Sequence, residues 1–185
     1  MKKGKLIVIS APSGCGKTTL VERLLQLNQN LIRSVSYTTR PPRAGESNGK
    51  DYFFISREEF LEKRENDFFL ESAEVFGQYY GTSRDFVTDH IQRGSDVVLA
   101  IDVQGMKQLK KKAGPNLSMI SIFIMPPSED ALRKRLRNRN TETEEEILKR
   151  LEVAREEMKA RSLYDVTLVN NEVDQAVESI EEVIK

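Results

Sequence analysis

The chain has 185 residues, of which 31% are charged and 38% hydrophobic, a composition typical of one globular domain that excludes a disordered chain. Basic and acidic residues are equal at 29 each, so the net charge does not favour a nucleic acid as partner. Cys15 is the only cysteine, which excludes an intramolecular disulfide, and no apolar stretch could span a membrane, so we expect a cytoplasmic protein.

The pattern of apolar residues predicts strands that alternate with helices. Leu6–Ile9 is an apolar run typical of a buried parallel strand, and a glycine-rich loop and a helical pattern from about Lys17 to Leu27 follow it. The pattern continues with strands at 97–101, 117–125 and 166–169 and helices at about 84–93, 103–112, 128–139, 142–161 and 173–184. This alternation predicts an α/β fold built on a doubly wound parallel sheet.

Two segments have the spacing of a helix capping box, in which Ser or Thr precedes Glu by three residues. They are Ser56 with Glu59 and Thr141 with Glu144. We expect a helix to begin at each of them.

One region, from about Ser34 to Gly81, interrupts the alternation. It contains two short strand-like pieces, 52–55 and 68–70, and a turn-rich stretch at 41–50. In open α/β sheets, insertions of this kind commonly cover the ligand crevice at the carboxyl ends of the strands. We therefore expect this insertion to bind a substrate.

The loop after the first predicted strand fits the phosphate-binding loop of nucleotide-binding proteins. Gly14 and Gly16 permit its backbone N–H groups to turn toward phosphate oxygens. Lys17 can reach the β- and γ-phosphates of a nucleoside triphosphate, and the Thr18 hydroxyl can bind Mg²⁺. Ala11 replaces the usual first glycine, which is tolerated if this residue keeps a negative φ. The predicted ATP-binding residues of the loop are Ala11, Pro12, Ser13, Gly14, Cys15, Gly16, Lys17 and Thr18.

Cys15 lies inside this loop and near the start of a predicted helix. Such a position can stabilise a thiolate. Cys15 is therefore either a reactive thiol or a small side chain that simply fits the loop, and the sequence leaves both interpretations open.

Further motifs follow the loop along nearly the whole chain. They are Ser36-Tyr37-Thr38-Thr39-Arg40-Pro41-Pro42-Arg43-Ala44-Gly45-Glu46, Asn48-Gly49-Lys50-Asp51-Tyr52, Glu71, Tyr79-Tyr80-Gly81-Thr82, Ile101-Asp102-Val103-Gln104-Gly105 and Arg139-Asn140-Thr141-Glu142-Thr143-Glu144. In order and spacing, the chain closely resembles the guanylate kinase family from about Leu6 to Asn171. Ala100 departs from the pattern, because relatives commonly carry an acidic side chain at that position.

The resemblance implies one domain, 1–185, with three parts. A P-loop core would comprise about 1–33, 83–126 and 163–185, a GMP-binding subdomain about 34–82, and a helical lid about 127–162. The implied activity is in-line phosphoryl transfer from ATP to GMP, and to dGMP, with Mg²⁺, for guanine nucleotide supply and recycling. The implied partners are ATP and GMP, with neither nucleic acid nor membrane, and the protein would be a monomer or a homodimer.

The resemblance also implies roles for individual residues. The GMP phosphate would be bound by Arg40, Arg43, Tyr52 and Tyr80, and guanine by Ser36, Glu71, Thr82 and Asp102. ATP would be bound by Arg135, Arg139 and Asn171 in addition to the loop. The implied catalytic residues are Lys17, Arg40, Arg135, Arg139 and Arg150.

The chemistry of these residue types agrees with the implied roles. A phosphate monoester needs forked donors, and Arg40 and Arg43 on a Pro-Pro turn supply them. Guanine presents N1–H and an amino group as adjacent donors, which suit the carboxylates of Glu71 and Asp102. Adenine has an unprotonated N1 at that place, and buried polar groups left unpaired can discriminate by roughly 10⁴–10⁵.

Three other interpretations remain open at this point. The chain could be a scaffold module with this fold but no catalysis, although such modules typically lack a working phosphate loop. It could be a kinase for another small acceptor, or, more remotely, a nucleic-acid-binding ATPase.

Overall fold

The computed structural model describes residues 3–112, 117–138 and 143–185. The strands are β1 (Leu6–Ser10), β2 (Leu31–Arg33), β3 (Tyr37–Thr38), β4 (Phe53–Phe54), β5 (Phe69–Val75), β6 (Gln78–Ser83), β7 (Asp96–Ile101), β8 (Met119–Met125) and β9 (Val166–Val169). The helices are α1 (Lys17–Leu27), α2 (Arg57–Glu65), α3 (Arg84–Gln92), α4 (Val103–Lys112), α5 (Glu129–Arg137), α6 (Glu144–Lys159) and α7 (Val173–Ile184), and a 3₁₀ turn at Ala160–Leu163 follows α6.

The predicted α/β alternation is confirmed. Outside the insertion, each predicted strand and helix has a counterpart whose ends agree to within about two residues, the usual uncertainty of element boundaries. None of the helices in the described ranges is long and apolar enough to cross a membrane.

A five-stranded sheet has the order β2-β7-β1-β8-β9. The pairs β2–β7 and β8–β9 are parallel, in agreement with the predicted parallel sheet, although β2 itself was not predicted. Strand β1 is buried over its whole length, and its sequence Leu-Ile-Val-Ile-Ser is the continuous apolar run expected of a strand covered on both faces. The hydroxyl of its last residue, Ser10, donates to the Ile101 carbonyl oxygen at 2.8 Å.

The predicted insertion forms a second sheet of four strands, in the order β4-β3-β6-β5. Strands β5 and β6 form an antiparallel hairpin in which Glu71 is paired with Thr82, and the register shifts between Phe69 and Glu71. The prediction had only short strand pieces here, so the hairpin is longer than expected.

An aromatic cluster supports this second sheet. The Phe60 ring stacks on Phe69 at 4.4 Å and on Tyr79 at 5.3 Å between centroids, and all three residues are buried. Phe60 belongs to α2, which begins with the predicted cap: the Ser56 hydroxyl accepts the backbone N–H of Glu59 at 3.1 Å. The predicted helix start at Ser56 is therefore confirmed, with the Ser56 side chain as the N-cap.

The chain divides into two compact units. The first unit comprises Met1–Leu6, Asn30–Leu99 and Gln104–Ser118, and it contains the four-stranded sheet with α2 and α3. The second unit comprises Ile7–Gln29, Ala100–Val103 and Met119–Lys185, and it contains the phosphate loop and the helices α1, α5, α6 and α7.

Within the second unit, α1 and α7 pack together. The Arg23 guanidinium donates to Asp174 at 2.9 Å, and the Asn28 amide donates to Glu181 at 2.7 Å. Strand β9 is followed by Asn170 and then by α7. Because α7 packs on α1, the segment after β9 lies close to α1, the helix that follows the phosphate loop.

Candidate active site

The loop between β1 and α1 turns at two glycines. Gly14 has φ 94° and Gly16 has φ 86°, conformations that a residue with a Cβ adopts only with strain. A Cβ at Gly14 would also lie 2.9 Å from the Leu136 side chain. Helix α1 then begins at Lys17, so the positive end of its dipole faces the loop.

Ala11 fits the loop without strain. In the described ranges only Asp67 and Phe76 combine a side chain with a positive φ, so Ala11 has the negative φ that tolerates its methyl group. Its carbonyl oxygen accepts a hydrogen bond from the Lys17 ammonium at 2.5 Å. The lysine is thereby held across the loop that it follows.

The Cys15 side chain is fully buried in this loop. A reactive thiol needs access to solvent as well as a depressed pKa. The burial therefore favours the interpretation of Cys15 as a small side chain that fits the loop.

Two of the predicted lid arginines form hydrogen bonds near the phosphate loop, one to a loop residue and one to Asn170. The Arg150 guanidinium, on α6, donates to the Ser13 hydroxyl at 2.9 Å. The Arg135 guanidinium, on α5, donates to the Asn170 carbonyl oxygen at 2.9 Å. Arg139 lies outside the described residues, and Asn171 is exposed at the start of the turn that precedes α7.

Glu157 near the end of α6 is a site residue that the sequence reasoning missed. Burial raises the pKa of its carboxyl, while the Lys17 charge and the backbone N–H of Ser13 act in the opposite direction and Asp102 adds to the rise. Its Oε2 atom is buried and has no hydrogen-bond partner in the described part of the chain. The only sequence signal was its position on the helix that carries Arg150.

The first unit holds most of the residues predicted to bind GMP. The Arg40 guanidinium forms an ion pair with Glu46 at 2.8 Å and lies 5.3 Å from the centre of the Tyr52 ring. The Tyr52 and Tyr80 rings meet edge to face, with centroids 6.0 Å apart. The structure therefore brings these three predicted phosphate ligands together.

Burial and neighbouring groups shift the pKa values of Arg40 and Tyr52. Burial acts to lower the pKa of Arg40. Its hydrogen bond to Glu46 and the nearby Tyr80 act in the opposite direction and outweigh burial, so the pKa of Arg40 is raised. Burial is the main cause of the raised pKa of Tyr52, and Tyr80 adds to it. Arg40 therefore stays charged, and the Tyr52 hydroxyl stays protonated and able to donate.

Arg43 is placed differently from Arg40. Its side chain is exposed, and its backbone N–H donates to the second carboxylate oxygen of Glu46 at 2.7 Å. Glu46 thus closes the turn between the two arginines. Sequence reasoning gave Glu46 no role, although it lies three residues after Arg43, the spacing that closes such a turn.

Glu71 and Thr82 form a buried polar pair on the hairpin. Glu71 is 4% exposed and Thr82 is fully buried, and the Thr82 hydroxyl donates to the Glu71 carboxylate at 2.6 Å. The antiparallel register places the two residues opposite each other. A carboxylate in such a position is costly unless it is hydrogen-bonded, so its place in the interior needs donors.

The remaining two predicted guanine ligands lie in different units. Ser36 is half-buried in the first unit, and its carbonyl oxygen accepts the Phe53 N–H at 2.9 Å. Asp102 directly follows β7 in the second unit, where its charge acts on Glu157.

The donor groups near the phosphate loop indicate how a metal ion could be bound there. In the ranges 3–112, 117–138 and 143–185, no group of three or more His, Cys, Asp or Glu side chains could hold a metal ion. Mg²⁺ in nucleotide sites takes ligands from phosphates and water with few protein groups. The exposed Thr18 hydroxyl, in the first turn of α1, fits that donor set.

The strand, glycine loop and helix, in an α/β fold with a parallel sheet, define a P-loop protein of the nucleoside monophosphate kinase class. The family model described as guanylate kinase matches residues 3–185. The chain belongs to the guanylate kinase family, and membership implies ATP-dependent phosphorylation of GMP to GDP. The resemblance seen in the sequence is confirmed.

Individual relatives agree over nearly the whole chain. A guanylate kinase of Caldanaerobacter subterraneus subsp. tengcongensis is 49% identical over 99% of this chain and 87% of its own length. A guanylate kinase of Thermotoga maritima is 46% identical over 99% of this chain and 87% of its own length. The crystal structure of guanylate kinase from Anaplasma phagocytophilum superimposes with a TM-score of 0.82 at 35% identity, covering 100% of this chain and 86% of the other.

Proposed function

We propose that this chain transfers the γ-phosphoryl group of ATP to GMP and dGMP, in line and with Mg²⁺. The observation that carries the choice of guanine is the buried pair of Glu71 and Thr82. Guanine N1–H and its amino group are adjacent donors, and a buried carboxylate is the acceptor that matches them. Adenine at the same place would leave that carboxylate facing a lone pair.

The phosphate of GMP is proposed to bind at the cluster of Arg40, Tyr52 and Tyr80, with Arg43 reaching it from the exposed turn. A guanidinium and phenol hydroxyls supply charge-assisted hydrogen bonds to phosphate oxygens. The raised pKa of Tyr52 supports this role, because the hydroxyl remains a donor well above neutral pH. Ser36 and Asp102 are proposed as further guanine ligands.

The phosphates of ATP are proposed to bind at the loop residues 11–18. The backbone N–H groups and Lys17 would neutralise charge, and Arg135, Arg139 and Arg150 would contact the transferred phosphoryl group. Two contacts support this proposal: Arg135 donates to the Asn170 carbonyl oxygen, and Arg150 donates to the Ser13 hydroxyl. Asn171 is proposed to contact ATP.

The reaction needs no general base, because the attacking phosphate oxygen of GMP is already anionic at neutral pH. Catalysis therefore depends on positioning and on stabilising the charge that develops on the phosphoryl group. Mg²⁺, when bound with ATP at Thr18, supplies further neutralisation of that charge.

The test of the guanine site is Glu71→Gln, with Glu74→Gln as the matched control. Both residues lie on β5, but Glu71 is buried and Glu74 is exposed. We expect Glu71→Gln to lower kcat/KM for GMP by at least about 100-fold, since an amide cannot accept from both donors of guanine. Binding of a non-hydrolysable ATP analogue, measured by calorimetry, should stay unchanged, and Glu74→Gln should change neither quantity.

Unchanged GMP kinetics in Glu71→Gln would remove this residue from the site. The acceptor itself is tested by ADP release with GMP, dGMP, AMP, UMP and CMP in turn. Activity with GMP and dGMP alone supports the proposal. Absence of activity with GMP would contradict it and favour a non-catalytic module.

A further inference from the structure

Asn170 occupies a junction between the phosphate loop and the arginine helix α5. It follows β9, is 2% exposed, and is anchored by its backbone N–H, which donates to the Met125 carbonyl oxygen at 2.9 Å. Its side-chain amide donates to the Cys15 carbonyl oxygen at 2.9 Å. Both bonds join segments far apart in sequence, within the second unit.

The bond to Cys15 fixes the direction of a loop N–H group. The described ranges contain no cis peptide, so the peptide between Cys15 and Gly16 is trans and planar. In a trans peptide the carbonyl and the N–H point in opposite directions. Because Asn170 holds the carbonyl on its own side, the Gly16 N–H points away from Asn170, toward the other side of the loop.

The approach of Asn170 also accounts for the glycine. A Cβ at Gly16 would lie 3.0 Å from the Asn170 amide nitrogen, and Gly16 already has a positive φ. A side chain at Gly16 would therefore both strain the backbone and push on the amide that orients the Cys15 carbonyl. The two residues fit only as a pair.

The same residue holds Arg135. The Asn170 carbonyl oxygen accepts from Nη2 of Arg135 at 2.9 Å. The other terminal nitrogen of Arg135, Nη1, is buried and has no hydrogen-bond partner in the part of the chain that the structure describes. A buried guanidinium nitrogen without a partner is costly, so it is available to an anionic ligand.

We propose that Asn170 is a positioning residue that orients both the phosphate loop and Arg135 for ATP. Its side chain fixes the direction of the Gly16 N–H through the Cys15 carbonyl, and its backbone carbonyl fixes the position of the Arg135 guanidinium. This inference rests on the proposed binding of ATP phosphates at the loop. It predicts that changes at Asn170 weaken ATP binding without affecting GMP binding.

The test is Asn170→Asp, which keeps the shape of the side chain but replaces the donor with a carboxylate oxygen. That oxygen would face the Cys15 carbonyl oxygen and repel it. The peptide between Cys15 and Gly16 would then lose the hydrogen bond that orients it. We expect the Kd of a non-hydrolysable ATP analogue and the KM for ATP to rise at least about tenfold. The Kd of GMP, measured by calorimetry without ATP, should change by less than about twofold.

The pH dependence distinguishes a lost donor from general damage. A protonated carboxyl regains an O–H that can donate to Cys15, so ATP affinity of Asn170→Asp relative to the unmodified chain should recover as the pH is lowered from 8 to about 5.5. The same amide-to-carboxyl change at the exposed Asn30, in the turn after α1, serves as control and should alter neither ligand.

Asn170→Ala separates the effect on the loop from the effect on Arg135. It removes the side-chain donor to Cys15 and keeps the backbone carbonyl that holds Arg135. We expect it to weaken ATP binding about fivefold, and it decides the question if Asn170→Asp does not fold. ATP affinity within twofold of the unmodified chain in the folded variant would overturn the inference. Equal losses of ATP and GMP affinity would assign Asn170 a merely structural role and also overturn it.

Failure of the unmodified chain to bind the ATP analogue would instead contradict the proposed function. The two failures are therefore distinguishable in one set of measurements.

Discussion

Glu46 decides how Arg40 presents its guanidinium. Its carboxylate accepts from Arg40 at 2.8 Å and from the Arg43 N–H at 2.7 Å. The hydrogen bond from Arg40 is the main cause of the lowered pKa of Glu46, so the carboxylate is charged at neutral pH. The Glu46 side chain therefore joins the two ends of the turn between the arginines.

We expect Glu46→Ala to raise KM for GMP by about five- to tenfold and to leave KM for ATP unchanged. The reason is that Arg40 loses a charge-assisted bond that is only partly exposed, at 12% and 20% for the two side chains. Steady-state kinetics with each substrate varied separately measure the effect. Glu65→Ala, at the exposed end of α2, is the control.

A lower KM for GMP in Glu46→Ala would contradict this role. It would mean that the carboxylate competes with the GMP phosphate for Arg40. Glu46→Gln keeps one acceptor oxygen without the charge, and we expect an intermediate effect.

Sequence reasoning could predict the phosphate loop, and it named Arg40, Tyr52 and Tyr80, which the structure brings together, because each belongs to a local motif. It missed Asn170 and Glu157 for a physical reason, whereas Glu46 lies at a local spacing from Arg40 and Arg43 that the reasoning did not use. Asn170 acts on a loop 155 positions earlier in the chain, and Glu157 acts on Ser13 from the far end of α6. Such long-range contacts leave no local spacing to detect.

At the scale of single elements, β6 depends on a glycine in its interior. A Cβ at Gly81 would lie 2.7 Å from the Phe69 ring, which is buried and stacked on Phe60. The ring cannot move aside without breaking that stack. Gly81 therefore permits the close packing of β5 on β6 beside Thr82.

We expect Gly81→Ala to lower the free energy of unfolding by about 1–3 kcal/mol, because it overpacks a filled core. Urea denaturation measures the change. Phe69→Leu makes room at the same place, so the double variant should lose less stability than the sum of the single ones. Strict additivity would show that the ring is not what opposes the new methyl group.

The start of α6 corrects one sequence prediction. The capping box predicted at Thr141 with Glu144 does not begin α6. Thr141 lies outside the described residues, and α6 begins at Glu144 with a capping box that joins Thr143 and Glu146. The Thr143 N–H donates to the Glu146 carboxylate at 2.7 Å. The sequence Thr-Glu-Thr-Glu-Glu-Glu offers two overlapping boxes, and spacing alone does not choose between them.

We expect Thr143→Ala to destabilise the first turn of α6 by about 1 kcal/mol, since the helix loses its N-cap. Hydrogen exchange of the Glu144–Ile147 amides should become faster by about fivefold. Thr141→Ala is the comparison and should leave these amides unchanged. The reverse order of effects would restore the sequence-based cap.

The insertion was harder to predict than the alternating elements for a related reason. Strand β5 reads Phe-Leu-Glu-Ser-Ala-Glu-Val, which is poor in β-branched residues and contains two glutamates, one of them buried. Outside the insertion, strand β2 was also missed, because its three residues are too few for any periodic signal. Pairing in the sheet, not local preference, makes these segments strands.

At the scale of the whole molecule, the division into two units is invisible in the sequence. It cuts the chain after Leu6, inside β1, and after Leu99, inside β7, where the residues are continuous apolar runs. Composition changes mark linkers, but they do not mark a boundary that passes through buried strands. The division separates the proposed GMP phosphate ligands from the phosphate loop and Asp102.

This separation of ligands predicts where each nucleotide protects the chain. At about 100 times its Kd, a ligand stabilises the segments that bind it by about 2.7 kcal/mol, or about 100-fold in exchange rate. We therefore expect GMP alone to slow hydrogen exchange at β3, β5 and β6 in the first unit. A non-hydrolysable ATP analogue should slow it at the loop and at α6 in the second unit. Guanosine, which lacks the phosphate, should protect the amides around Glu71 and Thr82 but not the turn from Arg40 to Glu46. Protection of that turn by guanosine would contradict the assignment of Arg40 to the phosphate, and protection of α6 by GMP alone would contradict the assignment of α6 to ATP.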